Sequence, residues 1–187
     1  MINNDINYNR TDEELEQFLF FCICVAGKNG DLTCKQVNQF FDEHNANERP
    51  FEAVNELIYE DRFKEELAQH GFGQFHRLQR CISEIIRTGL DLRECSIEEL
   101  EAIHGIGPKT ARMFVMFNRP KVKAAILDVH VLRWLRSHRI RAPKQTPSDR
   151  KVYHRLEHEF LNLAKRLKKN PAKLDLQIWK SRRRKVG

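Results

Sequence analysis

An all-α protein of about ten helices is what this sequence predicts, and three observations carry that prediction. Apolar residues recur at three- and four-residue spacing in segment after segment. Helix start signals (Ser, Thr, Asp or Pro ahead of a polar first turn) precede most of those segments. No stretch alternates convincingly at period two, the mark of a half-buried strand. The 187 residues are 41% hydrophobic and 32% charged, which suits a soluble globular chain able to bury a real core.

The elements follow in order. Thr11 with Glu14 forms a capping box ahead of Leu15, Phe18, Leu19, Cys22 and Val25, and Gly27 closes that helix. Leu19 to Ala26 is strongly apolar but too short to span a bilayer, so it reads as a buried core helix. Thr33 with Gln36 starts a second helix carrying Val37, Phe40 and Phe41, and Pro50 starts a third with Val54, Leu57 and Ile58. A helix near Asp61 to His70 ends at Gly71, and another from Gln74 to Thr88 carries Leu78, Ile82, Ile85 and Ile86. Ser96 with Glu99 opens a short helix whose apolar face is Ile97, Leu100 and Ile103. Gly105 and Gly107 then permit a tight turn, and Pro108 occupies the first position of the next helix, whose stripe is Ala111, Phe114 and Val115. Asp128 is a natural N-cap for the apolar-periodic helix after it. Ser148 or Thr146 opens a long helix with Val152, Leu156, Phe160, Leu163 and Leu167, and Pro171 begins the last, with Leu174, Ile178 and Trp179.

Charge is split along the chain. Residues 1–118 carry 12 Lys/Arg against 21 Asp/Glu, whereas residues 119–187 carry 21 against 5, for a formal total of +7. So basic a half is what binding a polyanion requires, since a merely solvated surface mixes both signs. The tail Lys180-Ser181-Arg182-Arg183-Arg184-Lys185 reads as a phosphate contact or a solvated end. Five cysteines stand at 22, 24, 34, 81 and 95. No spacing suits a metal site or a disulfide framework, which points to buried thiols in a reducing compartment. The polar start, Met1 to Arg10, does not read as a signal peptide, so the expected location is intracellular and soluble.

The stretch from Ser96 to Leu135 carries the chemistry. The backbone from Gly105 through Ile106 and Gly107 to Thr110 can approach a phosphate closely, with amides at the start of the second helix pointing at it. Such a hairpin alone is a sequence-blind grip, or a plain joint between helices. Lys109 lies in the first turn of that helix, where a cation opposes the dipole and acids are the stabilising choice. A local rule broken this way invites a functional reason, and the neutral amine it favours is the nucleophilic form. Asp128 follows 19 positions later, a cap by position and a candidate catalytic carboxylate by company.

The run Gly105-Ile106-Gly107-Pro108-Lys109-Thr110-Ala111, followed by Leu127-Asp128-Val129-His130-Val131-Leu132-Arg133, resembles the helix-hairpin-helix DNA glycosylase superfamily. It is most similar to the endonuclease III-like and 8-oxoguanine DNA glycosylase/AP lyase branches, over residues 96–136. The resemblance implies two helical lobes with a DNA cleft between them: an acidic lobe over 28–118, and a basic lobe of 1–27 plus 119–187. It implies Lys109 as a Schiff-base nucleophile and Asp128 as the essential carboxylate, hence a bifunctional glycosylase/AP lyase acting on damaged or abasic sites in double-stranded DNA as a monomer. The four-cysteine iron–sulfur loop of endonuclease III is absent from the sequence, so no cofactor is expected beyond a monovalent cation at the hairpin carbonyls. Gly71-Phe72-Gly73-Gln74 offers Phe72 as a wedge for the gap left by an extruded nucleotide, with core packing or a helix stop as the alternatives. Lys28 and Asn29 form a second tip reaching for the duplex, and His130 and Arg133, three apart, share a helix face suited to phosphate contact or lobe packing. A lone His makes no metal site. 8-Oxoguanine is the favoured base; a glycosylase for oxidised pyrimidines and a non-catalytic DNA-binding module are the alternatives.

Overall fold

The computed structural model describes residues 1–44 and 49–183, with the backbone alone at 182 and 183; among the described residues it holds ten helices and no strand. They are α1 (Asp12–Cys24), α2 (Gly30–Glu43), α3 (Pro50–Tyr59), α4 (Phe63–Gln69), α5 (Phe75–Thr88), α6 (Ile97–Ala102), α7 (Pro108–Asn118), α8 (Val129–Ser137), α9 (Arg150–Arg166) and α10 (Pro171–Arg183). Both capping boxes form, Thr11 with Glu14 and Ser96 with Glu99. Two starts differ from expectation because a better cap stands nearby. Asn29 Oδ1 accepts from the Asp31 and Leu32 amides, so α2 begins before Thr33, whose side chain is buried. Asp149 Oδ1 accepts from Lys151 and Val152 and opens α9, while Thr146 donates to the Leu127 carbonyl at 2.8 Å. The end of the basic tail lies outside the described residues.

Two apolar cores organise the helices. The first is built by α1 to α7 and is rich in phenylalanine, with Phe18, Phe20, Phe21, Phe40, Phe41, Phe63 and Phe114 fully buried. The second joins α8, α9 and α10 through Leu132, Leu135, Tyr153, Leu156, Phe160, Leu174 and Ile178. Here the expected grouping of 1–27 with the basic half needs correction. Nine of the thirteen residues of α1 are buried, and it packs against α2, α3, α5 and α7 in the first core. A helix apolar nearly all round needs neighbours on every side, and only the first core supplies them.

Between the cores runs an extended segment, residues 122–128, which bears on the site. Ala124 and Ile126 belong to the first core while Ala125 and Leu127 belong to the second. Alternate side chains of this segment thus face opposite cores, the geometry that period two gives any extended backbone. Asp128 is delivered at its end.

Candidate active site

A cavity of about 860 Å³ opens where the two cores meet, and Lys109 and Asp128 both line it. Each is placed by a different device.

The Lys109 side depends on the hairpin. Gly105 holds φ at +88°, a conformation that L side chains rarely adopt, and a Cβ there would meet Arg77 Cγ at 3.3 Å. Arg77 fixes the turn from outside: it donates from Nη1 to the Gly105 carbonyl and from Nη2 to the Ile23 carbonyl, both at 3.0 Å. Pro108 is the first residue of α7 and no side chain caps that helix, so its first-turn amides are available beside the cavity. Gly105, Gly107 and Thr110 line the cavity with Lys109. Ile106 does not: its side chain is buried in the first core and its amide donates to the Ile103 carbonyl at 3.1 Å. Hydrophobic burial turns its side chain away from the cavity.

The Asp128 side depends on a buried polar network. Tyr153 donates to the Ala125 carbonyl at 2.8 Å and accepts from the Leu127 amide at 3.2 Å, and Glu157 Oε1 accepts from the Ala125 amide at 2.9 Å. Arg112 of α7, almost fully buried, grips Glu157 with two bonds, pairs with Glu101 and lies over the Tyr153 ring. One guanidinium, one turn along α7 from Lys109, therefore ties the helix that carries the amine to the segment that carries the carboxylate. Asp128 itself caps α8, with Oδ1 accepting from the His130 and Val131 amides at 2.8 Å each. Both capping bonds use Oδ1, which leaves Oδ2 outside the cap. The capping role leaves that second oxygen available to the cavity.

Other expected residues sort by burial. Phe72 is 3% exposed, set edge-on against Phe20 and Phe40, so it is core and not a wedge. An aromatic beside a phenylalanine-rich core gains more from burial than from solvent. From the same loop it is exposed Gln74, with φ at +60°, that lines the cavity. Asn29 spends its side chain capping α2, whereas exposed Lys28 lines the cavity. Half-buried His130 lines it too, and its buried Nδ1 has no partner among the described residues. Arg133 stands exposed on α8, away from the lining.

Sequence reasoning missed Arg77, Arg112, Glu157, Tyr153 and Asp175. The last lines the cavity from α10 at 7% exposure, and burial, then the nearby Asp128, pushes its carboxyl well above the usual carboxylate range. The five cysteines are free and buried. Burial pushes the Cys24 and Cys81 thiols up to about 12, which removes thiolate chemistry from the neighbourhood.

Solved structures of other proteins share this fold. No curated protein matches the chain. Among solved structures, the 8-oxoguanine glycosylase/lyase of Methanocaldococcus jannaschii, in complex with a 15mer DNA containing 8-oxoguanine, is similar at 22% identity. The similarity covers 91% of this chain and 81% of that one, with a TM-score of 0.64. The 8-oxoguanine DNA glycosylase of Thermotoga maritima is similar at 25% identity over 90% of this chain and 79% of that one, with a TM-score of 0.65. A family model for 8-oxoguanine DNA glycosylase matches residues 3–169, and the chain belongs to that family.

Proposed function

We infer that this protein removes 8-oxoguanine from double-stranded DNA and then nicks the strand, with Lys109 as nucleophile and Asp128 as its partner carboxylate. One observation carries the assignment of residues: Lys109 and Asp128, from segments 19 positions apart, line one cavity beside a glycine hairpin. The cavity is roomy enough for a nucleotide rotated out of the duplex, an extrusion that costs a few kcal/mol. The Lys109 amine attacks the sugar C1′ as the base departs, and Asp128 stabilises the positive charge that develops on the sugar. The resulting imine acidifies the adjacent carbon, and β-elimination breaks the strand on the 3′ side. Gly105, Gly107 and the first turn of α7 hold a backbone phosphate near by. Lys28, Gln74 and His130 are the cavity-lining residues nearest in kind to a duplex contact.

Two coarser points belong to the same reading. No described helix is long and apolar enough to cross a membrane. The exposed large apolar residues Met1, Leu32, Tyr59, Val129 and Leu167 belong to different segments of the chain, which supports a monomer, and the buried free thiols support an intracellular location. The deciding assay is a panel of duplexes bearing 8-oxoguanine, oxidised pyrimidines or an abasic site, scored for base release, nicking and borohydride trapping. Release and nicking on the 8-oxoguanine duplex are expected. Release from pyrimidine lesions alone would move the assignment to the other base class, and binding with neither release nor trapping would leave a DNA-binding module.

A further inference from the structure

The roles given to Lys109 and Asp128 leave one cavity carboxyl group without a task. Asp175 stands on α10 between Leu174 and Ile178 of the second core, 7% exposed, with Oδ1 unpartnered among the described residues. A buried oxygen without a hydrogen bond is costly to a fold, so its presence on a cavity wall points to a partner that arrives with the cavity's occupant. The groups around it come from several elements. Asp128 precedes α8, Lys109 belongs to α7, and Tyr153 of α9 is close enough to sense its charge. His130 of α8, Lys28 after α1 and Arg77 of α5 line the same cavity. Burial is the largest influence on the Asp175 carboxyl and Asp128 the next; both favour its protonated form, while Lys109 acts in the other direction. A buried carboxyl whose protonated form is favoured, set beside a second carboxyl in one site, can divide the acid and base roles with it.

We propose that Asp175 is the general acid of base removal, handing its proton to the base as that base leaves the sugar. The proposal rests on the glycosylase reading of this cavity. The Lys109 amine forms a bond to C1′. The bond from C1′ to the base breaks, and its electron pair stays with the base. The Asp175 carboxyl proton moves to a ring nitrogen of that base, and the Asp128 carboxylate takes the proton shed by the newly bonded amine. Water restores the Asp175 proton before the next turnover.

The test compares wild type with Asp175→Asn and Asp175→Glu in single-turnover excision of 8-oxoguanine across pH, with enzyme saturating. Borohydride trapping on an abasic duplex, where no base has to leave, runs alongside. Asp175→Asn is expected to slow excision by roughly 10²- to 10⁴-fold, the usual worth of a positioned acid. Wild-type excision is expected to fall at high pH as Asp175 loses its proton, and Asp175→Asn should lose that fall, yet trap abasic DNA as wild type does. Asp175→Glu should recover part of the excision rate. A thermal midpoint for Asp175→Asn no lower than wild type excludes misfolding as the cause. Unchanged saturated excision with weaker binding of the lesion duplex would overturn the proposal in favour of a contact to the base. Equal losses in excision and trapping would overturn it in favour of an effect through Lys109. A wild-type chain that excises no base would sink the glycosylase reading itself.

Discussion

The two walls of the cavity are built on opposite principles. The Lys109 wall is local: a short helix, a turn that demands Gly105 and a proline-started helix occupy consecutive residues, and one outside clamp, Arg77, secures them. The Asp128 wall is assembled at long range. An extended segment is pinned by Tyr153 and Glu157 from α9, 28 and 32 positions away, and Arg112 bridges from α7. Conformational rules hold the first wall, and buried hydrogen bonds and ion pairs hold the second. The first therefore tolerates changes that respect its backbone, while the second fails when one partner of the network is removed.

Substitutions on each wall sharpen the contrast. The largest expected effect is that of Lys109→Ala, which removes the amine and abolishes borohydride trapping to abasic DNA while the hairpin continues to bind duplex. Asp128→Asn comes next. Asparagine caps a helix as well as aspartate does, so the folding midpoint should hold, while base release slows by roughly 10²- to 10⁴-fold. Arg112→Ala tests the second wall's construction. It takes the buried guanidinium from Glu157 and Glu101 and should cost about 3–5 kcal/mol in denaturant unfolding. Gly105→Ala tests the first wall and should cost less, about 1–2 kcal/mol, from the positive φ and the close Arg77 Cγ. An Arg112→Ala loss smaller than that of Gly105→Ala would reverse the proposed difference between the walls.

What the sequence could reveal follows the same division. The capping box of Ser96 with Glu99, the glycine turn, Pro108 and the Asp128 cap are rules written within a few consecutive residues, and all of them form. Phe72 turned inward because a neighbouring core of phenylalanines was available, which a four-residue loop cannot announce. Helix α1 joined the first core for a reason that was visible, its apolar character nearly all round, but the lobe division implied by the resemblance set 1–27 with the basic half. Arg112 and Glu157 look like ordinary surface charges until the fold sets them 2.6 Å apart across 45 positions. Asp175 lies between Leu174 and Leu176 on an amphipathic helix; the single signal was a carboxylate at a position flanked by core residues.

The central claim is that Lys109 attacks the sugar from a cavity it shares with Asp128. The most direct measurement is to trap the wild-type protein on an abasic duplex with borohydride, digest the adduct and map the modified peptide by mass spectrometry. The account predicts nucleotide attached to Lys109. Attachment to Lys28, which lines the same cavity, or to the amine of Met1, would contradict it.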